Sequence, residues 1–141
     1  MPPSCVFCRI VIGEEPAHVV LDDDVAVAFL DARPLFPGHV LVVPRGHVET
    51  LTDLPVEAVG PFFTRVQALA VAVRDGCEAQ GTFVAMNNRV SQSVAHLHAH
   101  VVPRTKGDGL RGFFWPRTRY GDDDHAAEVA EAIRGAFSPP G

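Results

Sequence analysis

Three histidines at two-residue spacing, in the stretch QSVAHLHAHVVPR, restrict the fold of this chain more than any other feature. His96, His98 and His100 alternate there with apolar residues. Successive side chains of a strand point to opposite faces, so residues two apart share a face. On a helix His98 would lie far around the axis from the other two. The stretch therefore predicts a strand with one imidazole face and one apolar face that packs on the core.

The three imidazoles are predicted to have different roles. On a regular strand His96 and His100 would lie about 13 Å apart. That separation is too large for both to bind one zinc ion at about 2 Å. A neutral imidazole can also act as a nucleophile or general base near pH 7, or hydrogen-bond an anionic substrate. A row of solvated surface histidines is the alternative, and three in register on an apolar strand disfavour it.

Composition indicates a soluble globular protein of one domain spanning 1–141. The chain has 141 residues, 47% hydrophobic and 21% charged, with a net charge of −5. An acidic balance disfavours general nucleic-acid binding. No apolar run approaches the roughly 18 residues that a membrane span needs, and the N-terminus lacks the pattern of a secretory signal. Three cysteines are too few for a disulfide framework. We expect a cytoplasmic protein without a membrane or nucleic-acid partner.

The remaining patterns predict an α+β fold. HVVLDDDVAVAFLD predicts two strands joined by an acidic turn, and GHVLVVPR and TFVAMNN predict one strand each. LTDLPVEAVGPFFTRVQALAVAVRDG has helical spacing, with Asp53 as a cap before Pro55 and a helix start or kink near Pro61. DDDHAAEVAEAIRGAF predicts a closing helix. The expected architecture is an antiparallel β-meander of about five strands with one long helix and a C-terminal helix.

HLHAHVV fits the His-φ-His-φ-His-φ-φ signature (φ is apolar) of the histidine triad superfamily of nucleotide hydrolases and transferases. AFLDARPLFPGHVLVVPRGHVETLTDL resembles the upstream block of that family. CVFCRIVIGEEP resembles the opening of many bacterial members. The resemblance runs from about Cys5 to Arg104, which leaves 105–141 as a C-terminal extension. It implies a HIT-like fold and hydrolysis of a purine nucleotide with an AMP-like moiety.

The resemblance implies reaction at the α-phosphate of a nucleoside 5′-phosphoramidate, dinucleoside polyphosphate or related nucleotide. His98 would attack and form a nucleotidyl-histidine, and His100 would hold phosphate oxygens. His39 would support the triad from an adjacent strand, and Asp31 would accept hydrogen bonds from the ribose hydroxyls. Further nucleotide contacts are implied at Ser93, Gln92 and Asn88, with apolar walls at Phe7, Ile10, Phe29 and Leu41. The loop NNRVSQS is short and has Ser91 where many relatives have glycine, so Asn87 competes with Asn88.

Cys5 and Cys8 form a Cys-x-x-Cys pair, which alone fits zinc, redox chemistry or chance. In relatives with this opening, zinc is held by both cysteines, the histidine after the Gly-His strand and the first triad histidine. The equivalent residues are Cys5, Cys8, His47 and His96, so the resemblance implies structural Zn²⁺, with a reduced cysteine pair as the alternative. It also implies a homodimer that pairs the long helix and extends the sheet. Trp115 either reaches the partner's site or is a buried anchor.

Two other functions remain open at this point. A nucleotide-binding regulatory or sensor protein would keep the pocket without significant turnover. A metal-dependent hydrolase would use His96 and His98 as ligands. An intact triad together with His39 and Asp31 favours the covalent hydrolase, because a sensor has no need of a nucleophile at His98.

Overall fold

The computed structural model describes residues 4–111 and 116–140. The chain forms two compact units, Met1–Asp108 and Gly109–Gly141, and each is described by itself. The single domain over 1–141 stays a prediction. Trp115 lies outside the described residues, so both of its predicted roles also stay predictions.

The first unit is an α+β fold built on a five-stranded sheet. Its elements are α1 (Val6–Val11), β1 (Val19–Asp22), β2 (Ala26–Leu30), β3 (Val40–Pro44), a 3-10 turn (Leu51–Asp53), α2 (Val56–Gly76), β4 (Gly81–Ala85) and β5 (Ala99–Arg104). The strand order is β1-β2-β3-β5-β4, and every neighbouring pair is antiparallel. The predicted class is confirmed. After β3 the chain crosses to the sheet edge as β4, and β5 returns between them.

Alternation along the histidine stretch is retained, although the strand is shorter than predicted. β5 begins at Ala99, so His100 is the one triad histidine inside it. His96 and His98 lie in the segment just before the strand. A regular strand through all three histidines is therefore wrong. The prediction of an apolar face that packs on the core is confirmed, because Leu97, Ala99 and Val101 are fully buried.

The long helix starts earlier than Pro61 suggested. α2 begins at Val56 and runs through Pro61 to Gly76. Proline lacks the N–H that would bond the carbonyl of Glu57. Both residues are exposed, so water can reach that carbonyl. Asp53 does not cap α2. Its carboxylate accepts from the Thr50 N–H at 3.1 Å and caps the 3-10 turn instead.

One side of α2 packs on the sheet through four buried side chains, Phe62, Val66, Leu69 and Val73. Elsewhere α2 leaves Val56, Val59 and Val71 exposed. By length and composition alone, α2 is long and apolar enough to cross a membrane. The expectation that no segment reaches that limit is wrong. A core helix of a soluble protein meets the same criterion; α2 packs on the sheet along one side, and 22% of its apolar window is buried.

The opposite face of the sheet is covered by α1, a helix that the sequence patterns did not predict. Phe7 and Val11 of α1 pack against Val27, Phe29 and Leu41. Cys5 caps this helix, because the Cys8 N–H donates to Cys5 Sγ at 3.4 Å. The Cys-x-x-Cys motif is therefore one helical turn, and it lies on the same face of the sheet as the histidines.

In the second unit, α3 spans Asp123–Ala136. Asp122 caps it, since its carboxylate accepts from the His125 N–H at 2.7 Å. Asp123 and Asp124 lie in the first turn, where negative charge is favourable. No side chain of α3 is buried.

Candidate active site

The histidine face lies over the centre of the sheet. His100 is paired with Leu41 of β3 on one side and with Ala85 of β4 on the other. His98 precedes β5 by one residue and is 2% exposed. The rings of His98 and His100 lie 5.0 Å apart between centroids. The fold therefore brings two triad imidazoles together at one site.

The proton position on His98 follows from one hydrogen bond. His98 Nδ1 lies 2.7 Å from the backbone carbonyl oxygen of His96. A carbonyl only accepts, so Nδ1 carries the proton and donates it. The other ring nitrogen, Nε2, is left with a free lone pair in the neutral ring. Phe7 packs edge-on against the ring at 5.1 Å between centroids and restricts its rotation. His98 is held as a nucleophile or base at Nε2.

A second set of hydrogen bonds gives His100 the tautomer opposite to that of His98. The Leu35 N–H donates to His39 Nδ1 at 3.0 Å, so the proton of neutral His39 is on Nε2. His39 Nε2 lies 2.9 Å from His100 Nδ1, which therefore accepts. The proton of His100 is then on its Nε2. The two neighbouring imidazoles thus present one lone pair and one N–H donor.

Both supporting histidines are held neutral. Burial lowers the pKa of His39, opposed by Asp31, whose Oδ2 lies 3.6 Å from His39 Nε2. Burial, followed by the neighbouring His98 and His39 rings, lowers the pKa of His100 to about 4. At neutral pH both rings are therefore neutral, and each carries its proton on Nε2.

The pKa of His100 predicts acid sensitivity. Its folded pKa of about 4 lies below the ordinary value of 6.5. As the pH falls from 6.5 towards 4, the unfolded chain binds a proton that the folded chain does not, so stability is lost. One such group contributes at most about 1.4 kcal/mol per pH unit. Urea unfolding at about pH 7.5 and about pH 5 measures the free energy of unfolding at each pH. This free energy should fall further at the lower pH in the wild type than in His100→Asn. Equal losses would contradict this prediction.

The triad faces a cavity of about 620 Å³. All four predicted wall residues line it: Phe7, Ile10, Phe29 and Leu41. Phe7 and Phe29 meet edge-to-face at 5.3 Å between centroids. His98, His100, Ser93 and Asp31 supply polar groups to the same cavity. An apolar slot with a few polar groups is the form expected of a small-molecule site.

Asp31 and His39 are aligned by the turn between β2 and β3. Asp31 Oδ1 accepts from the Arg33 N–H at 2.9 Å, and the Asp31 N–H donates to the His39 carbonyl at 2.9 Å. Gly38, just before His39, has φ +100, which favours glycine. A Cβ at Gly38 would also overlap Cys77 Sγ. The turn thus places Asp31 in the lining of the cavity and the His39 imidazole against His100, which also lines it.

Two predicted phosphate contacts do not line this cavity. Asn88 Oδ1 accepts from the Leu51 N–H at 2.7 Å. Gln92 Oε1 accepts from the Arg89 N–H at 2.9 Å, while its amide donates to the Glu49 carbonyl at 2.6 Å. These bonds attach the 88–92 loop to the segment after His47. Their roles in phosphate binding stay predictions, as does that of Asn87, which donates to the Ser91 carbonyl.

Ser91 has φ +61, a left-handed conformation in which glycine is more stable. Sequence reasoning missed other cavity residues. His18 is exposed, and it lines the cavity together with Glu15 and Arg33. His18 has no motif around it, whereas Glu15 and Arg33 lie within the two stretches that carry the family resemblance.

A second cluster lies beside the triad, on the side of His96. The potential ligand atoms of Cys5, Cys8, His47 and His96 all lie within 4.8 Å of one another. His96 Nδ1 is 3.5 Å from each sulfur and 3.2 Å from His47 Nδ1, and Cys8 Sγ is 3.3 Å from His47 Nδ1. Tetrahedral zinc with Zn–S of about 2.3 Å and Zn–N of about 2.0 Å requires N–N and N–S separations of about 3.3–3.6 Å. The four side chains fit zinc.

The chemistry of the cluster also suits a metal. His96 is fully buried, and its Nε2 donates to the Pro44 carbonyl at 3.0 Å, which leaves Nδ1 free to bind. Burial, followed by the adjacent Cys5 thiol, raises the pKa of Cys8 to about 11. A bound cation would reverse this by stabilising the thiolate. His98 does not belong to the cluster, so the alternative in which His96 and His98 ligate a catalytic metal has no support here.

Comparison with known proteins agrees with the fold. The family model named HIT domain matches residues 12–107. The chain belongs to the HIT family. A HIT relative, Protein hit of Bacillus subtilis, is 38% identical over 138 residues, covering 96% of this chain and 92% of that protein. A crystal structure of a HIT family member from Bacillus subtilis superposes with a TM-score of 0.86 at 31% identity, covering 97% and 99% of the two chains.

Other HIT relatives carry more specific descriptions. A zinc-bound histidine triad protein from Mycobacterium smegmatis is 38% identical with a TM-score of 0.72, over 94% of this chain and 97% of that one. An adenylylsulfatase of Arabidopsis thaliana is 32% identical over 76% of this chain and 55% of that protein. An adenosine 5′-monophosphoramidase of Schizosaccharomyces pombe is 30% identical over 80% of this chain and 84% of that protein.

Proposed function

We propose that this HIT protein is a nucleotide hydrolase that acts at the α-phosphate through a nucleotidyl-His98 intermediate. The main supporting observation is the 2.7 Å bond from His98 Nδ1 to the His96 carbonyl. It leaves Nε2 unprotonated in a buried ring that lines the cavity. A neutral imidazole with a fixed tautomer is a competent nucleophile at neutral pH.

In the first step, His98 Nε2 forms a bond to the α-phosphorus while the bond to the leaving group breaks. His100 Nε2–H and the Ser93 hydroxyl donate to the non-bridging oxygens, whose charge must be stabilised in the transition state. Asp31 accepts from the ribose hydroxyls, and the apolar walls hold the base. In the second step, water attacks the phosphorus and releases a proton to solvent while the Nε2–P bond breaks. Because Nδ1 has kept its proton, His98 leaves as a neutral imidazole with the electron pair on Nε2. The products are a nucleoside monophosphate and the free enzyme.

The named activities of two relatives support this substrate class. One relative is an adenylylsulfatase and another is an adenosine 5′-monophosphoramidase. Both substrates carry a nucleoside monophosphate with a different leaving group. We propose a purine nucleotide with an AMP-like moiety, drawn from phosphoramidates, dinucleoside polyphosphates and related nucleotides. A regulatory protein with the same pocket has no specific observation in its favour.

Zinc in this HIT protein is proposed as structural. Cys5, Cys8, His47 and His96 would hold it, and the bound ion would cross-link α1 to the histidine segment. Cys5 and Cys8 come from α1, His47 follows β3, and His96 precedes β5. Phe7, between the two cysteines, then packs against both His98 and Phe29. Fixing α1 in this way would hold one wall of the base pocket.

The intermediate can be tested directly. The protein is mixed with a nucleoside 5′-phosphoramidate, quenched within one turnover at neutral pH, and its intact mass is measured. We expect a mass increase of one nucleotidyl group, which His98→Asn lacks. Hydrolysis without any covalent adduct, even when the quench is faster than turnover, would contradict the mechanism. Hydrolysis of no nucleotide by protein that still binds nucleoside monophosphate would favour the sensor.

We also propose a homodimer in the cytoplasm. The exposed valines of α2 offer an apolar surface, and β4 has a neighbour on one side only among the described strands. Exposed apolar surface and unpaired edges are commonly covered by association. Sedimentation equilibrium should give twice the chain mass, and a monomer at micromolar concentration would contradict the proposal.

Free thiols at Cys5, Cys8 and Cys77 suit a reducing compartment, which cell fractionation can test.

A further inference from the structure

The turn that leads into His39 has a defined local structure. Pro37 and Gly38 occupy its two central positions, and the His39 N–H donates to the Phe36 carbonyl at 3.0 Å. Proline at the second position and a glycine with φ +100 at the third are the pattern of a type II turn. His39 is the fourth residue of this turn, so the direction of its side chain depends on the backbone path at Gly38.

The two central faces of the sheet meet different sides of this turn. Val40 packs in the core cluster that contains α2, and Leu41 packs in the cluster that contains α1. Side chains alternate along a strand, so His39 shares the face of Leu41, on which it contacts His100. Gly38 shares the face of Val40. A residue at the end of α2 can therefore contact the turn from behind the active site.

Cys77 makes this contact. It directly follows α2, and its N–H donates to the Val73 carbonyl at 3.0 Å, which fixes its backbone at the helix end. A Cβ built on Gly38 would overlap Cys77 Sγ, and it would lie 3.7 Å from Cys77 Cβ and 3.4 Å from Pro103 Cγ. The sulfur therefore occupies the space that a side chain at position 38 would need.

Little else supports the turn on this side. The three atoms nearest to the Cβ position of Gly38 all belong to Cys77 and Pro103. An apolar cavity of about 250 Å³ adjoins the contact, and Gly38, Val73 and Cys77 are among its lining residues. Removal of the sulfur would enlarge this cavity and leave the turn with less packing behind it.

A shift of the turn would change the hydrogen bonds of the active site. The Leu35 N–H donates to His39 Nδ1 at 3.0 Å, and His39 Nε2 donates to His100 Nδ1 at 2.9 Å. The Asp31 N–H also donates to the His39 carbonyl, at 2.9 Å. Hydrogen bonds weaken steeply when the donor and the acceptor lose alignment. A displaced His39 ring would therefore no longer fix the tautomer of His100.

We infer that Cys77 is a positioning residue of the active site. Its Sγ packs against Gly38, holds the turn that ends at His39, and thereby keeps the proton of His100 on Nε2. Cys77 does not line the nucleotide cavity, so it acts through His39. The effect of Cys77 on hydrolysis rests on the proposed function, whereas its effect on the His100 tautomer does not.

A double-mutant cycle at positions 38 and 77 tests the contact. Gly38→Ala should lower kcat by about 10²-fold, because the added methyl group meets the sulfur and displaces His39. Cys77→Ala should lower kcat by about fivefold through loss of packing behind the turn. In Gly38→Ala/Cys77→Ala the new methyl group faces the Cβ of residue 77 at an ordinary contact distance of 3.7 Å. The double variant should therefore recover about tenfold in kcat relative to Gly38→Ala.

Two variants control for the other effects of an added methyl group. Gly76→Ala places it on the same cavity, where a Cβ meets nothing within 4 Å. Gly13→Ala places it at another glycine with positive φ, +83, again with nothing within 4 Å. Both should keep the wild-type kcat, although Gly13→Ala should lose some stability because alanine is strained at that φ. Thermal unfolding checks that every variant is folded.

Nitrogen NMR of protein labelled in its histidine rings reports the tautomer without any turnover. In the wild type, His100 Nδ1 should have the shift of an unprotonated nitrogen and Nε2 that of a protonated one. Loss of these signals in His100→Asn assigns them. The two shifts should approach each other in Gly38→Ala and in Cys77→Ala, and they should return towards the wild-type values in the double variant.

Two results would overturn the role of Cys77. One is a wild-type kcat and wild-type His100 shifts in Cys77→Ala. The other is a double variant that recovers neither kcat nor the shifts relative to Gly38→Ala. Wild-type protein that hydrolyses no nucleotide would overturn the proposed function instead, and the His100 shifts alone would then decide whether Cys77 positions the ring.

Discussion

Replacing His98 with alanine is expected to lower kcat for nucleotide hydrolysis by about 10³-fold or more. The substitution removes the nitrogen that bonds to phosphorus, and groups that only bind the nucleotide cannot replace it. Binding of nucleoside monophosphate should change little, since the wall residues, Asp31 and His100 remain. Steady-state kinetics with a phosphosulfate and a phosphoramidate, together with calorimetric titration of nucleoside monophosphate, would measure both effects.

The matched control for this variant is His125→Ala. His125 is an exposed histidine of α3, and its removal leaves the triad intact. It should retain full activity. If His98→Ala hydrolyses the same nucleotides at the wild-type rate, His98 is not the nucleophile, and the mechanism proposed above fails.

Removal of zinc is expected to destabilise the protein and to weaken nucleotide binding together. The cluster joins α1, the segment after β3 and the segment before β5, so its loss frees three parts of the chain at once. Structural zinc sites contribute several kcal/mol to folding. For Cys8→Ser we expect a loss of about 3 kcal/mol or more in the free energy of unfolding. Phe7 and the His96 carbonyl move with the cluster, which links stability to the site.

This expectation is measured by metal analysis of the purified protein and by thermal unfolding with and without a chelator. Cys77→Ser is the matched control, because Cys77 is exposed and lies outside the cluster. It should bind zinc and respond to the chelator like the wild type. Protein that contains no zinc and whose melting temperature is unchanged by added zinc would contradict the metal centre.

The two-residue alternation of apolar residues and histidines correctly predicted which face of the histidine stretch is buried. Leu97, Ala99 and Val101 are buried and the histidines face the other way, because burial of one face determines alternation even where the strand is not yet regular. The wall residues Phe7, Ile10, Phe29 and Leu41 were obtained from the family resemblance, and all four line the cavity. The four side chains that the resemblance implied as zinc ligands also lie together in the structure.

The errors have physical causes. α1 is six residues long, too short for helical periodicity to be visible, and its cap is a cysteine rather than a usual capping residue. α2 begins at Val56 rather than near Pro61, because the carbonyl that Pro61 leaves unpaired is in an exposed part of the helix. The bonds from Asn88 and Gln92 to backbone groups of a distant segment were not predicted either, because long-range contacts leave no trace in local sequence; the roles of both residues in phosphate binding stay predictions.

The hydrogen bonds that set the two triad protons both end on main-chain groups, the Leu35 N–H and the His96 carbonyl. Every residue except proline carries that N–H, and every residue carries that carbonyl. The Leu35 side chain is itself 53% exposed. Position 35 is therefore free to vary in evolution among all residues but proline without altering the protonation of His100. The backbone path therefore determines the tautomers of His98 and His100. Side chains around the site can change to suit new substrates without moving the protons of these two rings.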